Sequence, residues 1–291
     1  MDKINLKAPA KINLFLRVLD KRPDGYHNIE SLMQTISLYD ELTMEKSDDI
    51  ELECGGMDAI PDEQNLAYKA AKLVESMTYF PGVKITLKKA IPSGAGLGGG
   101  SSDAAFVIRG LIKLYDLKLE KSELVEKSSR LGADIPFFLT RGQARITGIG
   151  DQIEDCKLPL KYRILVVKPP FSVSTAETYG ALDEVRKRKF SLTNDSQLGY
   201  LYRSIADPNF VRLTSRFIND LEEVVFSRHQ ELLRIKQNLC KDGAFYSSMT
   251  GSGSAVFGLF SPDNSIEQTA RRYSGNNLVF ICQPVLLPPA A

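Results

Sequence analysis

A glycine-rich run at residues 92–105 constrains this chain more than any other stretch of its sequence. The run reads Pro-Ser-Gly-Ala-Gly-Leu-Gly-Gly-Gly-Ser-Ser-Asp-Ala-Ala and follows a segment in which Val83, Ile85 and Leu87 alternate as in a strand. From residue 104 to residue 115, apolar residues recur at the spacing of one helix face. A glycine turn between a strand and a helix lets backbone N–H groups surround a phosphate, because no side chain blocks the approach and the helix N-terminus attracts anions. The run therefore predicts a phosphate-binding loop.

Three better-known glycine loops fit this run poorly. Gly94, Gly96 and Gly99 match the dinucleotide-binding spacing, but that site also needs an acidic residue about 20 positions on, at the end of a second parallel strand. Asp116 lies at about that distance and instead closes a predicted helix. A Walker loop would end in Gly-Lys-Ser/Thr, and a protein-kinase loop would be followed by a strand lysine and His-Arg-Asp. Neither pattern is found in the sequence.

The composition of the 291-residue chain excludes several functional classes. Lysine and arginine number 37 against 36 aspartate and glutamate residues, so no excess of positive charge favours nucleic acid. Four scattered cysteines, without a Cys-x-x-Cys pair, are typical of small buried side chains in a reducing compartment. The sequence contains no apolar run long enough for a membrane span and no signal-peptide pattern. We therefore expect a soluble, cytoplasmic protein that binds neither nucleic acid nor membrane.

A second informative segment, Ala-Pro-Ala-Lys-Ile-Asn-Leu-Phe-Leu, lies near the N-terminus at residues 8–16. Apolar residues alternate from Ile12 to Val18, after an earlier alternating stretch that ends before Pro9. If this set faces a core, the opposite face of the strand carries Lys11, Asn13, Phe15 and Arg17. Taken alone, a lysine at such a position is more typical of a solvated surface.

Other polar residues occupy positions typical of turns and helix starts. Residues 22–28, Arg-Pro-Asp-Gly-Tyr-His-Asn, predict a turn that contains His27. Asn65 precedes a helical pattern and is a candidate N-cap. Asp134, two residues before a proline, is a candidate N-cap of another helix. The other histidine, His229, lies in a charged helical segment, and the sequence predicts no function for it.

The C-terminal half predicts a second unit of strands and helices. Residues 163–168 predict a strand, and the capping-box pattern at 174–177 opens a helix. Further on, the patterns predict helical structure over 217–239 and 265–273 and strands over 245–249, 255–260 and 278–284. This order is the split β-α-β arrangement. The charge-rich stretch 183–190, followed by 194–199, predicts a mobile surface element, and the glycine turn 250–254 is on its own more typical of a hairpin than of a ligand site.

These motifs together resemble those of a known kinase superfamily. The glycine run is similar to the central motif of the galactokinase, homoserine kinase, mevalonate kinase and phosphomevalonate kinase superfamily. Within the run, the sequence Gly-Leu-Gly-Gly-Gly-Ser-Ser most resembles the corresponding motif of the 4-diphosphocytidyl-2-C-methyl-D-erythritol kinases. Five motifs, which span nearly the whole chain, follow that family's order: the segment at 8–16, Asp-Gly-Tyr-His, the glycine run, Gly-Ala-Asp-Ile-Pro-Phe-Phe and the turn at 250–254.

The resemblance implies an activity and a set of ligands. It implies transfer of a phosphoryl group from ATP, with Mg²⁺, to the 2-hydroxyl of 4-diphosphocytidyl-2-C-methyl-D-erythritol in non-mevalonate isoprenoid biosynthesis. The implied catalytic residues are Lys11 and Asp134. The implied ATP-binding residues are Asn65, Lys89, Pro92, Gly94, Ala95, Gly96, Leu97, Gly98, Gly99, Gly100, Ser101 and Ser102. The implied substrate-binding residues are Asn13, Tyr26, His27, Asp134, Thr175 and Tyr179, and no residue is assigned to the metal.

The resemblance also implies a fold, a two-domain α+β kinase with its active site in the cleft between the domains. Residues 1–155 are expected to form the N-terminal ATP-binding domain and residues 156–291 a C-terminal domain of split β-α-β, ferredoxin-like topology. We expect a monomer or a weak homodimer. Two alternatives are a sister kinase acting on another small alcohol, which would lack Asp-Gly-Tyr-His, and a catalytically inactive nucleotide-binding protein, which would lose Lys11 or Asp134.

Overall fold

The structure, a computed structural model, describes residues 1–57, 64–188 and 217–289. The strands are β1 (Lys3–Lys21), β2 (His27–Lys46), β3 (Ile50–Gly56), β4 (Val83–Lys89), β5 (Gln143–Thr147), β6 (Gln152–Asp155), β7 (Arg163–Lys168), β8 (Tyr246–Met249), β9 (Val256–Phe260) and β10 (Leu278–Cys282). The helices are α1 (Leu66–Met77), α2 (Gly99–Tyr115), α3 (Lys121–Leu131), α4 (Ile135–Phe138), α5 (Thr175–Arg188), α6 (Glu222–Arg228), α7 (Gln230–Lys241) and α8 (Ile266–Tyr273). This mixture confirms the predicted α+β class.

The first sheet is built around β2, which is 20 residues long. Strand β1 pairs antiparallel with one edge of β2 along nearly its whole length. The other edge of β2 is shared by two shorter strands, since β4 pairs with its C-terminal part and β5 with its N-terminal part. Strand β3 extends the sheet beside β4 in parallel, and β6 extends it beside β5.

Strand β1 contains three register shifts against β2 that the sequence pattern did not predict, the last of them between Val18 and Lys21. The first, between Pro9 and Ala10, joins the two predicted alternating stretches into one strand. The second lies between Asn13 and Phe15. A bulge moves the following residues to the other face, so Phe15 packs in the same apolar cluster as Ile12. The predicted common face for Lys11 and Phe15 is therefore wrong.

Helix α2 approaches the first sheet closely because Gly110 lies at the crossing. A Cβ atom at Gly110 would overlap the sulfur of Met44 and lie 3.0 Å from Leu6 Cδ1. The neighbouring Ala104 and Ala105 are also fully buried. Tight packing between helix and sheet fixes the helix axis. It thereby fixes the position of the helix N-terminus, where the glycine run ends.

The second sheet is antiparallel, with the order β10-β7-β9-β8. This strand order, with helices between β7 and β8 and between β9 and β10, confirms the predicted split β-α-β unit. One apolar cluster lies between this sheet and the first, and another lies between this sheet and α5, α6, α7 and α8. The residues beside the junction of the two sheets therefore face both units.

Two predictions for the C-terminal half need correction. The predicted helical stretch 217–239 is two helices, because His229 has φ −128° and ψ 72° and separates α6 from α7. Residues 183–188, predicted as part of a mobile surface element, continue helix α5. The rest of that predicted element, at 189–190 and 194–199, lies outside the described residues. In the described part of the chain no helix is long and apolar enough to cross a membrane.

Candidate active site

A cavity of about 780 Å³ lies where the glycine run, the second half of β1 and the starts of α4 and α5 meet. Its wall includes about half of the site residues that the sequence predicts, namely Lys11, Asn13, Tyr26, His27, Gly96, Gly98, Ser101, Asp134, Thr175 and Tyr179. These residues come from strands, loops and helices distributed along the chain. A concave site with convergent polar groups is typical of small-molecule binding.

The glycine run forms a loop whose backbone angles favour glycine at three positions. Gly94, Gly96 and Gly98 have positive φ angles of 60°, 73° and 71°. A Cβ atom at Gly96 would overlap the carbonyl oxygen of Thr250, and one at Gly98 would lie 3.0 Å from Lys11 Cγ. Helix α2 starts directly after Gly98, and its first N–H groups have no partner inside the helix. The loop and helix start therefore provide backbone donors suited to a phosphate.

The remaining residues of the run support the loop from behind. Ala95 and Leu97 are buried, and their carbonyl oxygens accept hydrogen bonds from Ala255 N (3.2 Å) and Lys11 N (2.9 Å). A Cβ atom at Gly99 would lie 2.9 Å from Ile91 Cγ2. The structure thus brings Pro92, Gly94, Ala95, Leu97, Gly99, Gly100 and Ser102 next to the cavity without making them part of its wall.

Lys11 and Asp134 lie side by side in the cavity. The Lys11 side chain is only 4% exposed, and its Nζ donates to Asn13 Oδ1 at 2.7 Å and lies 3.3 Å from Asp134 Oδ2. The Asp134 side chain is 32% exposed. The pair therefore has one sequestered cation and one carboxylate that a ligand can reach.

Asp134 occupies the N-cap position of α4 but does not cap it with its side chain. Its backbone has φ −85° and ψ −9°, and within the described residues its carboxylate makes no capping hydrogen bond. A residue whose side chain caps a helix typically has extended backbone angles. The predicted side-chain cap is therefore wrong, and the carboxylate faces Lys11 instead.

A polar network connects β1 to the glycine loop and to the turn at 250–254. Asn13 Nδ2 donates to Ser31 Oγ at 2.8 Å, and Asn13 N donates to Thr250 Oγ1 at 3.1 Å. The buried Thr250 hydroxyl also donates to Gly96 O at 3.0 Å. Beside it, the Thr175 and Ser252 hydroxyls are 2.7 Å apart. The turn therefore holds the loop and the start of α5 in place.

Two of the predicted ATP-binding residues, Asn65 and Lys89, are not part of the cavity wall. Asn65 caps α1, since its Oδ1 accepts a hydrogen bond from Ala67 N at 2.9 Å. Lys89 is buried, and its ammonium group pairs with the carboxylates of Asp40 and Asp103. Its pKa is raised, because the two carboxylates outweigh the opposite effect of burial. Lys89 thus links β2, β4 and α2 beneath the glycine loop.

One lysine cannot neutralise two buried carboxylates. The pKa of Asp103 is raised well above its usual range, first by burial and then by the charge of Asp40, although Lys89 opposes both effects. Asp103 Oδ1 has no hydrogen-bond partner among the described residues. Asp103 therefore accepts a proton more readily than an ordinary aspartate.

The opposite end of the cavity is formed by the turn after β1 and by α5. His27 Nε2 lies 2.7 Å from Asp183 Oδ1, and the His27 ring lies 5.3 Å from the ring of Tyr179 at an interplanar angle of 32°. The pKa of Tyr179 is raised to about 12 by burial and by the charges of Asp134 and Asp220. Tyr26, in contrast, is 64% exposed. This end of the cavity therefore offers aromatic ring faces for stacking and the edge of a histidine ring for hydrogen bonding.

Three polar residues of this cavity were not predicted from the sequence: Lys21, Asp183 and Ser252. Ser252 belongs to the turn at 250–254, one of the five motifs of the family resemblance. Lys21 and Asp183 carry no comparable signal, because each lies in a stretch where charged residues are common. Only the contact between α5 and the turn after β1 reveals them.

A magnesium ion would find suitable oxygen donors at the start of α2 and at the residue that precedes α4. The Ser102 hydroxyl is buried there without a hydrogen-bond partner in the described part of the chain, and Asp134 is exposed to the cavity. The described residues contain no group of three or more His, Cys, Asp or Glu that could hold a metal alone. In nucleotide sites Mg²⁺ takes few protein ligands and completes its shell with phosphate oxygens and water. The residues present fit an ion shared with a nucleotide.

Comparisons with known proteins give the family. The sequence model "GHMP kinases N terminal domain" matches residues 65–142, and "GHMP kinases C terminal" matches residues 208–277. The chain is 42% identical over 266 residues to a 4-diphosphocytidyl-2-C-methyl-D-erythritol kinase of Clostridioides difficile (strain 630), covering 89% of this chain and 88% of that one. It is 41% identical to the enzyme of that name from Bacillus cereus (strain B4264), covering 94% and 92%.

Solved structures agree with this assignment. A crystal structure of 4-(cytidine 5'-diphospho)-2C-methyl-D-erythritol kinase superposes with a TM-score of 0.80 at 33% identity and covers 97% of this chain and 99% of that one. A homoserine kinase from Cytophaga hutchinsonii ATCC 33406 superposes with a TM-score of 0.73 at 16% identity, covering 99% and 96%, which shows a common fold. The chain therefore belongs to the GHMP kinases and, among them, to the 4-diphosphocytidyl-2-C-methyl-D-erythritol kinase family.

Proposed function

We propose that this protein transfers the γ-phosphoryl group of ATP to the 2-hydroxyl of 4-diphosphocytidyl-2-C-methyl-D-erythritol. A member of this kinase family uses ATP, and its acceptor is a small molecule. One observation carries the proposal. The Lys11–Asp134 pair lies in a cavity that has the glycine loop on one side and the His27–Tyr179 end on the other. Such a cavity suits a phosphate donor and a base-containing acceptor whose reacting groups meet at Asp134.

Asp134 would act as the general base. Its carboxylate takes the proton of the substrate hydroxyl while that oxygen bonds to the γ-phosphorus and the bond to the β,γ-bridging oxygen breaks. Lys11 would balance the negative charge of the transferring group and hold the Asp134 carboxylate in position, because its ammonium lies 3.3 Å from it. The products are the 2-phosphate and ADP.

The glycine loop would bind the phosphates of ATP through backbone N–H groups and the N-terminus of α2. Ser102 would hold Mg²⁺ together with phosphate oxygens, and the ion would neutralise part of the phosphate charge. Asn65 and Lys89 would act on the adenosine side mainly by fixing α1 and α2, since their side chains have partners inside the protein.

The opposite end of the cavity would bind the cytidine group. His27 offers a ring nitrogen to the base edge, and Tyr26 and Tyr179 offer aromatic faces. Thr175 and Asn13 line the path between the base and the Lys11–Asp134 pair. The sister-kinase alternative is weaker, because an acceptor without a base would leave these groups unused.

A coupled ADP-release assay tests the proposal. We expect turnover with diphosphocytidyl-methylerythritol and background rates with mevalonate or homoserine, with phosphorus NMR locating the new phosphate on the 2-hydroxyl. Equal rates with an alcohol that lacks the cytidyl group would contradict the proposed substrate. Background rates with every alcohol would favour the inactive nucleotide-binding alternative.

We also propose that residues 1–155 and 156–291 act as two domains with the active site between them. A monomer or a weak homodimer completes the proposed organisation. Sedimentation over a range of protein concentrations tests the oligomeric state, and a stable higher oligomer would contradict it.

A further inference from the structure

The Asp183 carboxylate bridges the last residue of β1, Lys21, and the first residue of β2, His27. Its Oδ1 lies 2.7 Å from His27 Nε2, and its Oδ2 accepts a hydrogen bond from Lys21 Nζ at 2.6 Å. The side chains of His27 and Asp183 are only 7% and 16% exposed. The carboxylate is therefore held between two donors at the edge of the cavity.

Helix α5 presents two side chains to His27 at once. Tyr179 and Asp183 are four residues apart, so they lie on the same face of the helix. The Tyr179 ring packs on the His27 ring, while the Asp183 carboxylate contacts its Nε2. The two contacts fix the plane of the imidazole ring and also its rotation within that plane.

The contact with Asp183 also determines which ring nitrogen carries the proton. A carboxylate can only accept hydrogen bonds, and the donors Lys21 and His27 lower the pKa of Asp183 against the opposite effect of its burial. Nε2 must then be the protonated nitrogen. In a neutral imidazole ring, the other nitrogen, Nδ1, is left as a hydrogen-bond acceptor.

An acceptor at this position distinguishes the two pyrimidine bases. Cytosine carries an amino group at C4, which donates hydrogen bonds. Uracil carries an oxygen at the same position, which only accepts and would face the Nδ1 lone pair. A wrong base typically weakens such a contact by about 10- to 100-fold.

We propose that Asp183 is a positioning residue that makes the site select cytosine over uracil by holding His27 with Nδ1 unprotonated. This inference rests on the proposed function, in which His27 meets the edge of the base. Asp183 acts through His27 and does not itself contact the substrate.

The tautomer can be measured without any substrate. His27 and His229 are the two histidines of the chain, so nitrogen NMR of the protein labelled with ¹⁵N-histidine gives few signals. At about pH 8 we expect Nε2 of His27 to carry a proton and Nδ1 to carry none, because Nε2 faces the Asp183 carboxylate. A His27→Gln variant identifies its signals. An Nδ1-protonated ring would overturn the proposal, and this result does not depend on whether any variant folds.

The Asp183→Asn variant tests the effect on specificity. Asparagine has the same shape but offers an amide donor as well as an acceptor, so it permits the other tautomer. We expect the kcat/KM ratio of the cytidyl substrate to its uridyl analogue to fall about tenfold, mainly through the cytidyl KM. The KM for ATP is expected to stay unchanged. Glu177→Gln, an exposed acid-to-amide change on the same helix, is the matched control and should keep the ratio.

The outcomes separate this proposal from the proposed function. If the wild-type protein does not phosphorylate the cytidyl substrate, the proposed function fails before the variant is tested. If it does, and Asp183→Asn lowers the kcat/KM of both substrates equally or changes neither, the specificity role of Asp183 is wrong and the proposed function stands. A lower melting temperature with an unchanged ratio would show a merely structural contact.

Discussion

The ammonium group of Lys11 lies 3.3 Å from the carboxylate of Asp134, although the first residue belongs to β1 and the second precedes α4. Lys11 reaches this position because β1 passes under the glycine loop, where its N–H donates to Leu97 O. Asp134 reaches it because its side chain does not cap α4. The proposed chemistry depends on this pair.

Asp134→Asn is expected to lower kcat by about 10²- to 10⁴-fold, because the amide cannot take the proton of the substrate hydroxyl. The shape of the side chain is retained, so calorimetry should show ATP and substrate still bound. Asp263→Asn, at an exposed position, is the matched control. A loss of less than tenfold in kcat would exclude Asp134 as the general base.

Gly98→Ala should weaken ATP binding by at least tenfold. The new Cβ atom would lie 3.0 Å from Lys11 Cγ and 3.2 Å from Phe138 Cε2, at a φ of 71° that costs an L-residue about 1–2 kcal/mol. The loop must then move away from the geometry that binds phosphate. Gly275→Ala is a suitable control, since no described atom lies within 4 Å of its added Cβ. Unchanged ATP affinity in a folded Gly98→Ala protein would place the phosphate site elsewhere.

His27→Ala is expected to raise the KM for the cytidyl substrate by about 10- to 100-fold and to leave the KM for ATP unchanged, because a polar edge of the base loses its partner. Steady-state kinetics with each substrate varied in turn measures both constants. If the Asp-Gly-Tyr-His turn is only a connection between strands, the variant will instead have a lower melting temperature and an unchanged KM for the cytidyl substrate.

Tyr26 provides an independent test of base binding. Its side chain is 64% exposed, so Tyr26→Ala should leave the melting temperature nearly unchanged. A stacking contact worth ~1–3 kcal/mol would still raise the cytidyl KM, while Tyr26→Phe, which keeps the ring, should have a small effect. Equal KM values for the two variants would argue against stacking.

Asp103→Asn is expected to make stability less dependent on pH. Burial and Asp40 raise the pKa of Asp103 in the folded protein, so the folded state binds this proton more tightly than the unfolded state does. The contribution of this proton to the free energy of unfolding is complete below the ordinary aspartate pKa of about 3.9. It is lost as the pH rises through the raised pKa of the folded state. Each tenfold difference in proton affinity between the two states corresponds to about 1.4 kcal/mol.

The asparagine variant does not titrate at this position. Its melting temperature should therefore fall less than that of the wild type between about pH 5 and pH 8. Scanning calorimetry across this range measures the difference, with Asp263→Asn as the control. Parallel curves for Asp103→Asn and the wild type would mean that Asp103 stays ionised.

The sequence alone determined the glycine loop, the family and the fold class. Positive φ angles at Gly94, Gly96 and Gly98 are a local backbone requirement that glycine meets best. The glycine run can therefore be recognised from the sequence without knowledge of the surrounding fold. Strand and helix periodicities are equally local, and they correctly predicted the split β-α-β unit, whose strands have the order β10-β7-β9-β8 in the structure. The order of the motifs along the chain then indicated the kinase family.

Tertiary structure decided which of these residues meet. The bulge between Asn13 and Phe15, the burial of Lys89 between two aspartates and the contact of Asp183 with His27 leave no local pattern. Each depends on strand register or on how a helix packs against a segment distant in the sequence. The spacing of residues along the chain does not predict these contacts. The side chain of Asp134 faces Lys11 instead of capping its helix for the same reason, because its backbone angles are set by the packing of α4.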